Sequence, residues 1–184
     1  MKKNHLFFLA IFIIFLSFGL ILFYKSLKEI KEVEKEIAFK PPEVEGKKEV
    51  KPQEGSDFKF KNLEGKTFNL SDFKGKYVFM TFWATWCRFC AMELPEIQKL
   101  YENYKNIEFI MLSPEEPEKV KSYINLYKYK FPVYIQISST PSNFRTSGIP
   151  ANFILDKEGR IILKKEGYFN WLSAEAKSFL DSLK

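Results

Sequence analysis

Phe82-Trp83-Ala84-Thr85-Trp86-Cys87-Arg88-Phe89-Cys90 holds the only two cysteines among 184 residues. They stand in a Cys-x-x-Cys arrangement, after the apolar run Tyr77 to Phe82 and before a helical pattern. A thiol pair at this spacing closes into a small disulfide ring without rearranging a fold, so it can cycle between dithiol and disulfide. At the start of a helix, the first unpaired backbone N–H groups favour a thiolate at Cys87. Arg88 adds a positive charge beside it, and the thiolate is the nucleophilic form.

Other uses of two cysteines fit less well. A structural zinc site needs four ligands, yet there is no third cysteine and the one histidine, His5, lies outside the domain. A haem attachment motif needs a histidine after the second cysteine, where this chain has Ala91. A purely structural disulfide is possible, but so short a ring removes little chain entropy. Redox chemistry is the reading that remains.

The segment Phe82-Trp83-Ala84-Thr85-Trp86-Cys87-x-x-Cys90-x-x-Glu93-x-Pro95 resembles the active-site segment of thioredoxin-fold proteins. It is most similar to the TlpA/ResA-like group of membrane-tethered thiol-disulfide oxidoreductases. Gly148-Ile149-Pro150-Ala151-Asn152-Phe153-Ile154-Leu155-Asp156, followed by Gly159-Arg160-Ile161, resembles that family's cis-proline loop and the hairpin after it. The likeness covers roughly residues 56 to 184. Two positions depart from it: Phe89 stands where proline is common, and Thr81 where thioredoxin itself carries a buried Asp.

Composition agrees with one domain of ordinary size plus an N-terminal extension. Hydrophobic residues make up 46% and aromatic residues 17%, with 20 Phe, enough for a packed core. The net charge of +6 falls as +2 before residue 25, zero over 25–56 and +4 from 57 onward. No basic block stands out, which argues against nucleic-acid binding.

Leu6 to Tyr24 is an uncharged run rich in Leu, Ile and Phe. At about 1.5 Å per residue it is long enough to span a ~30 Å hydrocarbon core. It exceeds the apolar core of a signal peptide, and Tyr24-Lys25-Ser26-Leu27-Lys28 offers no small-residue cleavage site. Residues 1–24 are therefore expected to form an uncleaved membrane anchor. Lys25, Lys28, Lys31 and Lys35 follow the run while only Lys2 and Lys3 precede it, so a bare positive-inside count would put the domain in the cytoplasm. The family resemblance implies the opposite, an extracytoplasmic domain. Residues 25–55 read as a charged stalk and linker: Leu27, Ile30, Val33 and Ile37 continue a helical pattern until Pro41-Pro42 stops it.

Residues 56–184 read as an α/β domain. Phe58-Lys59-Phe60 and Thr67-Phe68-Asn69-Leu70 alternate around Leu63-Glu64-Gly65-Lys66, the pattern of a hairpin. Tyr77 to Phe82 and Ile107 to Leu112 are continuous apolar runs, as in strands buried on both faces. Helical spacing predicts helices over Cys90 to Tyr104, Pro117 to Tyr129 and Trp171 to Leu183. Val133 to Ile137 is expected as a short edge strand, and Asn152 to Asp156 with Arg160 to Lys164 as a hairpin around Gly159. The order fits a thioredoxin fold with an added N-terminal β-hairpin, preceded by one transmembrane helix.

The resemblance implies roles. Cys87 is the nucleophile, Cys90 the resolving thiol, and Ile149-Pro150 the cis-proline loop whose backbone pairs with an extended substrate. That loop is expected at the surface. Trp86, Arg88 and Phe89 form the rim that meets substrate. Glu93 shares a helical face with Cys90, behind the thiols, and the family places a functional glutamate there. The redox group is the disulfide itself, with no cofactor and no metal. The implied function is disulfide reduction in exported proteins such as apocytochrome c, with a CcdA/DsbD-type membrane electron donor and a monomeric chain. Alternatives are a disulfide-forming oxidase, a peroxiredoxin, or a redox-inactive chaperone or copper-handling module. The last is disfavoured because the domain lacks histidine and Met80, Met92 and Met111 read as core.

Overall fold

The computed structural model describes residues 15–29 and 58–183. The chain divides into two compact units, Met1–Lys40 and Pro41–Lys184. In the first, residues 15–29 are helical with exposed apolar side chains. No helix among the described residues is long and apolar enough to cross a membrane. The expected span Leu6 to Tyr24 lies only partly among them: residues 6–14 fall outside, as do residues 30–55 of the expected linker.

The second unit is built on a seven-stranded sheet in the order β2-β1-β5-β4-β3-β6-β7. Its strands are β1 (Lys59–Asn62), β2 (Thr67–Asn69), β3 (Tyr77–Phe82), β4 (Ile107–Ser113), β5 (Val133–Gln136), β6 (Ala151–Leu155) and β7 (Ile161–Glu166). The helices are α1 (Arg88–Asn103), α2 (Pro117–Tyr127) and α3 (Ala174–Asp181). β3, β4 and β5 run parallel, and β6, β7 and the β1–β2 hairpin are antiparallel to their neighbours. The expected hairpin is therefore present. It also corrects the placing of β5, which is not an edge strand: β1 pairs along it, Phe60 opposite Gln136, and covers the edge. A short alternating run cannot show which later strand will pair with it.

β3 and β4 are apolar throughout because both faces of the sheet are buried. Side chains alternate between faces. Val78, Met80 and Phe82 join Ile110, Leu112, Phe153 and the hairpin's Phe60 in one core cluster. On the opposite face Phe79 stacks on Phe109 and meets Trp171 edge-on at 4.6 Å, and Tyr101 of α1 lies edge-on to Phe109. Thr81 and Asn152, directly paired across β3 and β6, are the polar interruption on that second face.

Two helices are shorter than their patterns suggested. α2 stops at Tyr127 because Lys128 takes the left-handed conformation, φ 57°. α3 begins only at Ala174, where Ser173 accepts from the Ala176 N–H, so Trp171 lies outside it. Trp171 is fully buried against the sheet, and residues 167–173 are irregular. Gly167 opens that segment at φ 78°, a conformation that favours glycine, and its N–H donates to the Pro150 carbonyl at 2.8 Å. Pro95 sits inside α1, which continues past it to Asn103.

Phe60 is fully buried, with its ring edge-on to Tyr134 at 5.1 Å. Phe60→Ala is expected to cost about 3–5 kcal/mol of unfolding free energy. Denaturant unfolding checks this, and a loss under ~1 kcal/mol would show the hairpin to be an appendage rather than part of the core.

Candidate active site

Cys87 is the N-cap of α1, and its Sγ accepts from the Cys90 N–H at 3.1 Å. The chain reaches this point through a short loop. The Trp83 N–H donates to the Leu112 carbonyl of β4, and the Cys87 N–H donates back to Ala84. The two cysteines are joined as a disulfide with their Cα atoms 5.2 Å apart. Cys87 is 6% exposed and Cys90 1%, so the first cysteine is the outer one. Once reduced, a thiolate at Cys87 would keep the Cys90 N–H and meet the other unpaired N–H groups of the first helical turn.

The Ile149–Pro150 bond is cis, and the Ile149 carbonyl oxygen lies 3.6 Å from Cys87 Sγ. Ile149 is half-buried and Gly148 exposed, but Pro150 itself is buried, so only part of this loop is at the surface as expected. Phe82, Trp83, Pro114, Phe144, Arg145 and Ile149 contribute to the walls of a neighbouring cleft of about 290 Å³. Trp86, Phe89 and Met92 expose 69%, 57% and 50% of their surface around the disulfide. Met92 was expected in the core. It faces out because Cys90, Glu93, Leu94 and Ile97 take the buried side of α1. Arg88 is exposed beside them. Three large apolar side chains are thus left in water around one disulfide.

Glu93 is 1% exposed. Its Oε1 accepts from Trp171 Nε1 at 2.9 Å, Asn152 Nδ2 at 3.0 Å and the Phe169 N–H at 3.2 Å. Its Oε2 lies 3.2 Å from the same Asn152 amide. Asn152 is held in turn by the Thr81 hydroxyl, which donates to Oδ1 at 2.7 Å. Loss of water around the carboxyl pushes its pKa from an ordinary 4.5 up to about 7, against the pull of the Asn152, Phe169 and Trp171 donors; the nearby Glu96 charge adds to the rise. The position one turn beyond Cys90 was readable in the sequence, but the donors were not. Asn152 had a signal, a lone amide in the apolar strand Ala151–Leu155. Trp171 had none.

A second carboxylate fixes the loop before Cys87. Glu115 accepts from the Thr85 N–H at 2.6 Å and from its hydroxyl at 2.9 Å, and it pairs with Lys119 at 2.5 Å. Sequence reasoning did not single it out, since contact between residues 30 apart depends on the pairing of β3 with β4. Among the described residues, no group of three or more His, Cys, Asp or Glu is placed to hold a metal ion.

The buried acid gives a pH signature. Its folded pKa is about 7 against an ordinary 4.5. The stability tied to the protonated form is thus complete below about 4.5 and lost as pH rises through about 7. Glu93→Gln mimics the protonated acid. Its stability relative to wild type is expected to improve as pH rises from ~5 to ~8, by up to ~3 kcal/mol. Denaturant unfolding of the oxidised proteins across that range measures it, and a difference that does not change with pH would mean an ordinary carboxylate.

Residues 53–164 match the AhpC/TSA family. The chain is 36% identical over 177 residues to the thiol-disulfide oxidoreductase ResA of Bacillus cereus, covering 91% of each chain. It is 37% identical over 123 residues to the thioredoxin-like protein YneN of Bacillus subtilis, covering 62% of this chain and 72% of that one. Among solved structures, StoA of Bacillus subtilis superposes with a TM-score of 0.54 at 22% identity, covering 69% of this chain and 96% of that chain. A thiol-disulfide isomerase from Corynebacterium glutamicum gives 0.58 at 23% identity, covering 69% and 92%. These two likenesses bear on the fold alone, which is thioredoxin-like. With its cysteine pair at the head of α1 and its match to ResA over most of its length, the chain belongs to the AhpC/TSA family as a thiol-disulfide oxidoreductase of the ResA type, whose redox group is the Cys87–Cys90 pair itself.

Proposed function

We propose that this oxidoreductase works as a membrane-tethered, extracytoplasmic reductase of disulfides in exported proteins, with apocytochrome c as the substrate class. The observation that carries the reading is Cys87 Sγ at the N-cap of α1, 3.6 Å from the Ile149 carbonyl and ringed by exposed Trp86 and Phe89. A substrate strand laid along Ile149-Pro150 would bring its disulfide to Cys87 and its apolar side chains to this rim.

The Cys87 thiolate attacks one substrate sulfur; the substrate S–S bond breaks and its other sulfur leaves with the electron pair, taking up a proton. Cys90 then gives up its proton, attacks Cys87 Sγ and releases the second substrate sulfur as a thiolate. The substrate has gained two electrons, and the enzyme, having lost them, is left as the Cys87–Cys90 disulfide. Glu93, one turn beyond Cys90 with a pKa of about 7, is suited to receive that proton near neutral pH. Trp86, Arg88, Phe89, Ile149 and Pro150 position the substrate. An oxidised enzyme must be recharged, and the family resemblance points to a CcdA/DsbD-type membrane donor. The uncharged run Leu6 to Tyr24 supports the tether. The outward orientation rests on the resemblance to the TlpA/ResA-like group, since the lysines after the run favour the reverse.

Cys87→Ser should reduce disulfide reductase turnover to background, whereas Cys90→Ser should accumulate mixed disulfides through Cys87, visible as mass adducts reversed by dithiothreitol. Adducts on Cys90 in the Cys87→Ser protein instead would reverse the two roles. A reduction potential far above that of a reductant, by equilibration in glutathione buffers, would favour the oxidase reading.

The tether predicts that the domain in intact spheroplasts is degraded by added protease and that the mature chain retains residues 6–24. Protection of the domain, or a mature N-terminus near residue 25, would overturn it.

A further inference from the structure

Residues 167–171 form a strap between β7 and α3, and Glu93 lies beneath it. Gly167 ties one end to the Pro150 carbonyl. The Phe169 N–H and the Trp171 indole point inward and donate to Glu93. The outer fastening is a different carboxylate. Glu96 stands three residues further along α1, on the same side of the helix as Glu93. Its Oε1 accepts from the Tyr168 hydroxyl at 2.9 Å and its Oε2 from the Trp171 N–H at 2.8 Å. Both oxygens are thus spent on the strap, one residue before Phe169 and two after it. Glu96 is half-buried and Tyr168 exposed, so this fastening lies at the water boundary while Glu93 is sealed behind it.

We propose that Glu96 is a positioning residue for Glu93: by holding Tyr168 and Trp171 it latches residues 167–171 over the buried carboxyl and keeps water from it. The inference rests on the proton-acceptor role proposed for Glu93 only for its meaning in turnover; the latch is a statement about geometry and water access. Several groups face the Glu93 carboxyl region. Glu96 shares its helix, the Cys87–Cys90 pair begins that helix, and Tyr168 comes from the strap. Lys165 of β7 stands opposite Asn152 with its ammonium 5.2 Å from the Phe169 ring centre. Removing Glu96 would take away a negative charge and admit water, and both changes favour the ionised form of Glu93. An open strap would also uncover Trp171, whose indole N–H reports directly on its bond to Glu93.

The test uses nuclear magnetic resonance on the full-length oxidised chain in detergent. It follows hydrogen exchange of the Phe169 amide and Trp171 indole, and the pH midpoint of the Trp171 indole shift. Wild type should show a midpoint near 7. Glu96→Ala should speed exchange at both sites by roughly tenfold or more and move the midpoint down towards the ordinary carboxylate range. Tyr168→Phe should do the same to a smaller extent, and Glu96→Gln, which keeps an acceptor without the charge, should restore part of the protection. A folded Glu96→Ala protein with unchanged exchange, or with faster exchange and an unmoved midpoint, overturns the latch. If Glu96→Ala does not fold, Tyr168→Phe decides by the same two readouts. Normal turnover in Glu93→Gln would remove the proton role of Glu93 and leave the latch to be judged by exchange alone.

Discussion

The carboxyl group buried at Glu93 ties separate parts of this domain together. Taking a carboxylate out of water costs several kcal/mol unless donors replace the lost hydration, on the order of the penalty for a buried ion. Here the donors come from three places in the chain: Asn152 on β6, and Phe169 and Trp171 on the segment before α3. Each must therefore be held at hydrogen-bonding distance from α1, which places the end of β6, the approach to α3 and the first turns of α1 in one fixed arrangement. The donors do not offset the loss of water fully, so the carboxyl titrates near neutrality instead of staying charged. A buried acid of this kind is a poor device for stability, and a carboxyl that titrates near pH 7 is the kind of group the proton-acceptor role proposed above requires.

The sheet supplies the frame for that arrangement. Period-two alternation along β3 and β6 puts Thr81 and Asn152 on the face that α1 covers, and Met80 and Phe153 on the other. A one-residue slip of β6 against β3 would turn Asn152 away from Glu93 and towards the phenylalanines of the opposite core. Hydrophobic packing and polar satisfaction thus select the same register. The Thr81 hydroxyl supports Asn152 and so acts on Glu93 at one remove.

Legibility in the sequence followed locality. The cysteine pair, the strands Tyr77–Phe82 and Ile107–Ser113 and the hairpin at Gly65 each carry their signal within a few residues, and each appears where it was expected. The position of Glu93 was legible too, because helical spacing alone puts it one turn behind Cys90. Pairing between distant segments was not. β5 looked like an edge because nothing in Val133 to Gln136 announces that β1 will cover it. Trp171 looked like the start of a helix because its apolar ring fits an amphipathic pattern; its indole N–H, which is claimed by Glu93 from 78 residues away, leaves no trace in that pattern. Met92 was misplaced for a related reason: an apolar side chain reads as core until the function of the surface around it is known.

The site also shows how one residue type is set to two ends by its neighbours. Glu115 and Glu93 are both largely buried, on either side of the loop and helix start that carry the disulfide. Burial alone would push both carboxyls up. At Glu115 the Lys119 ammonium 2.5 Å away, with the N–H and hydroxyl of Thr85, outweighs that push and holds the pKa below its ordinary value. At Glu93 the direct donors are neutral and the acidic neighbour Glu96 works against ionisation, so burial prevails. The consequence is a division of labour. A carboxylate that stays charged can grip Thr85 at every working pH, so the loop leading into Cys87 does not loosen as protons come and go. A carboxyl that titrates near 7 can change its charge during a reaction without disturbing that loop, because its hydrogen bonds run to β6 and the strap instead.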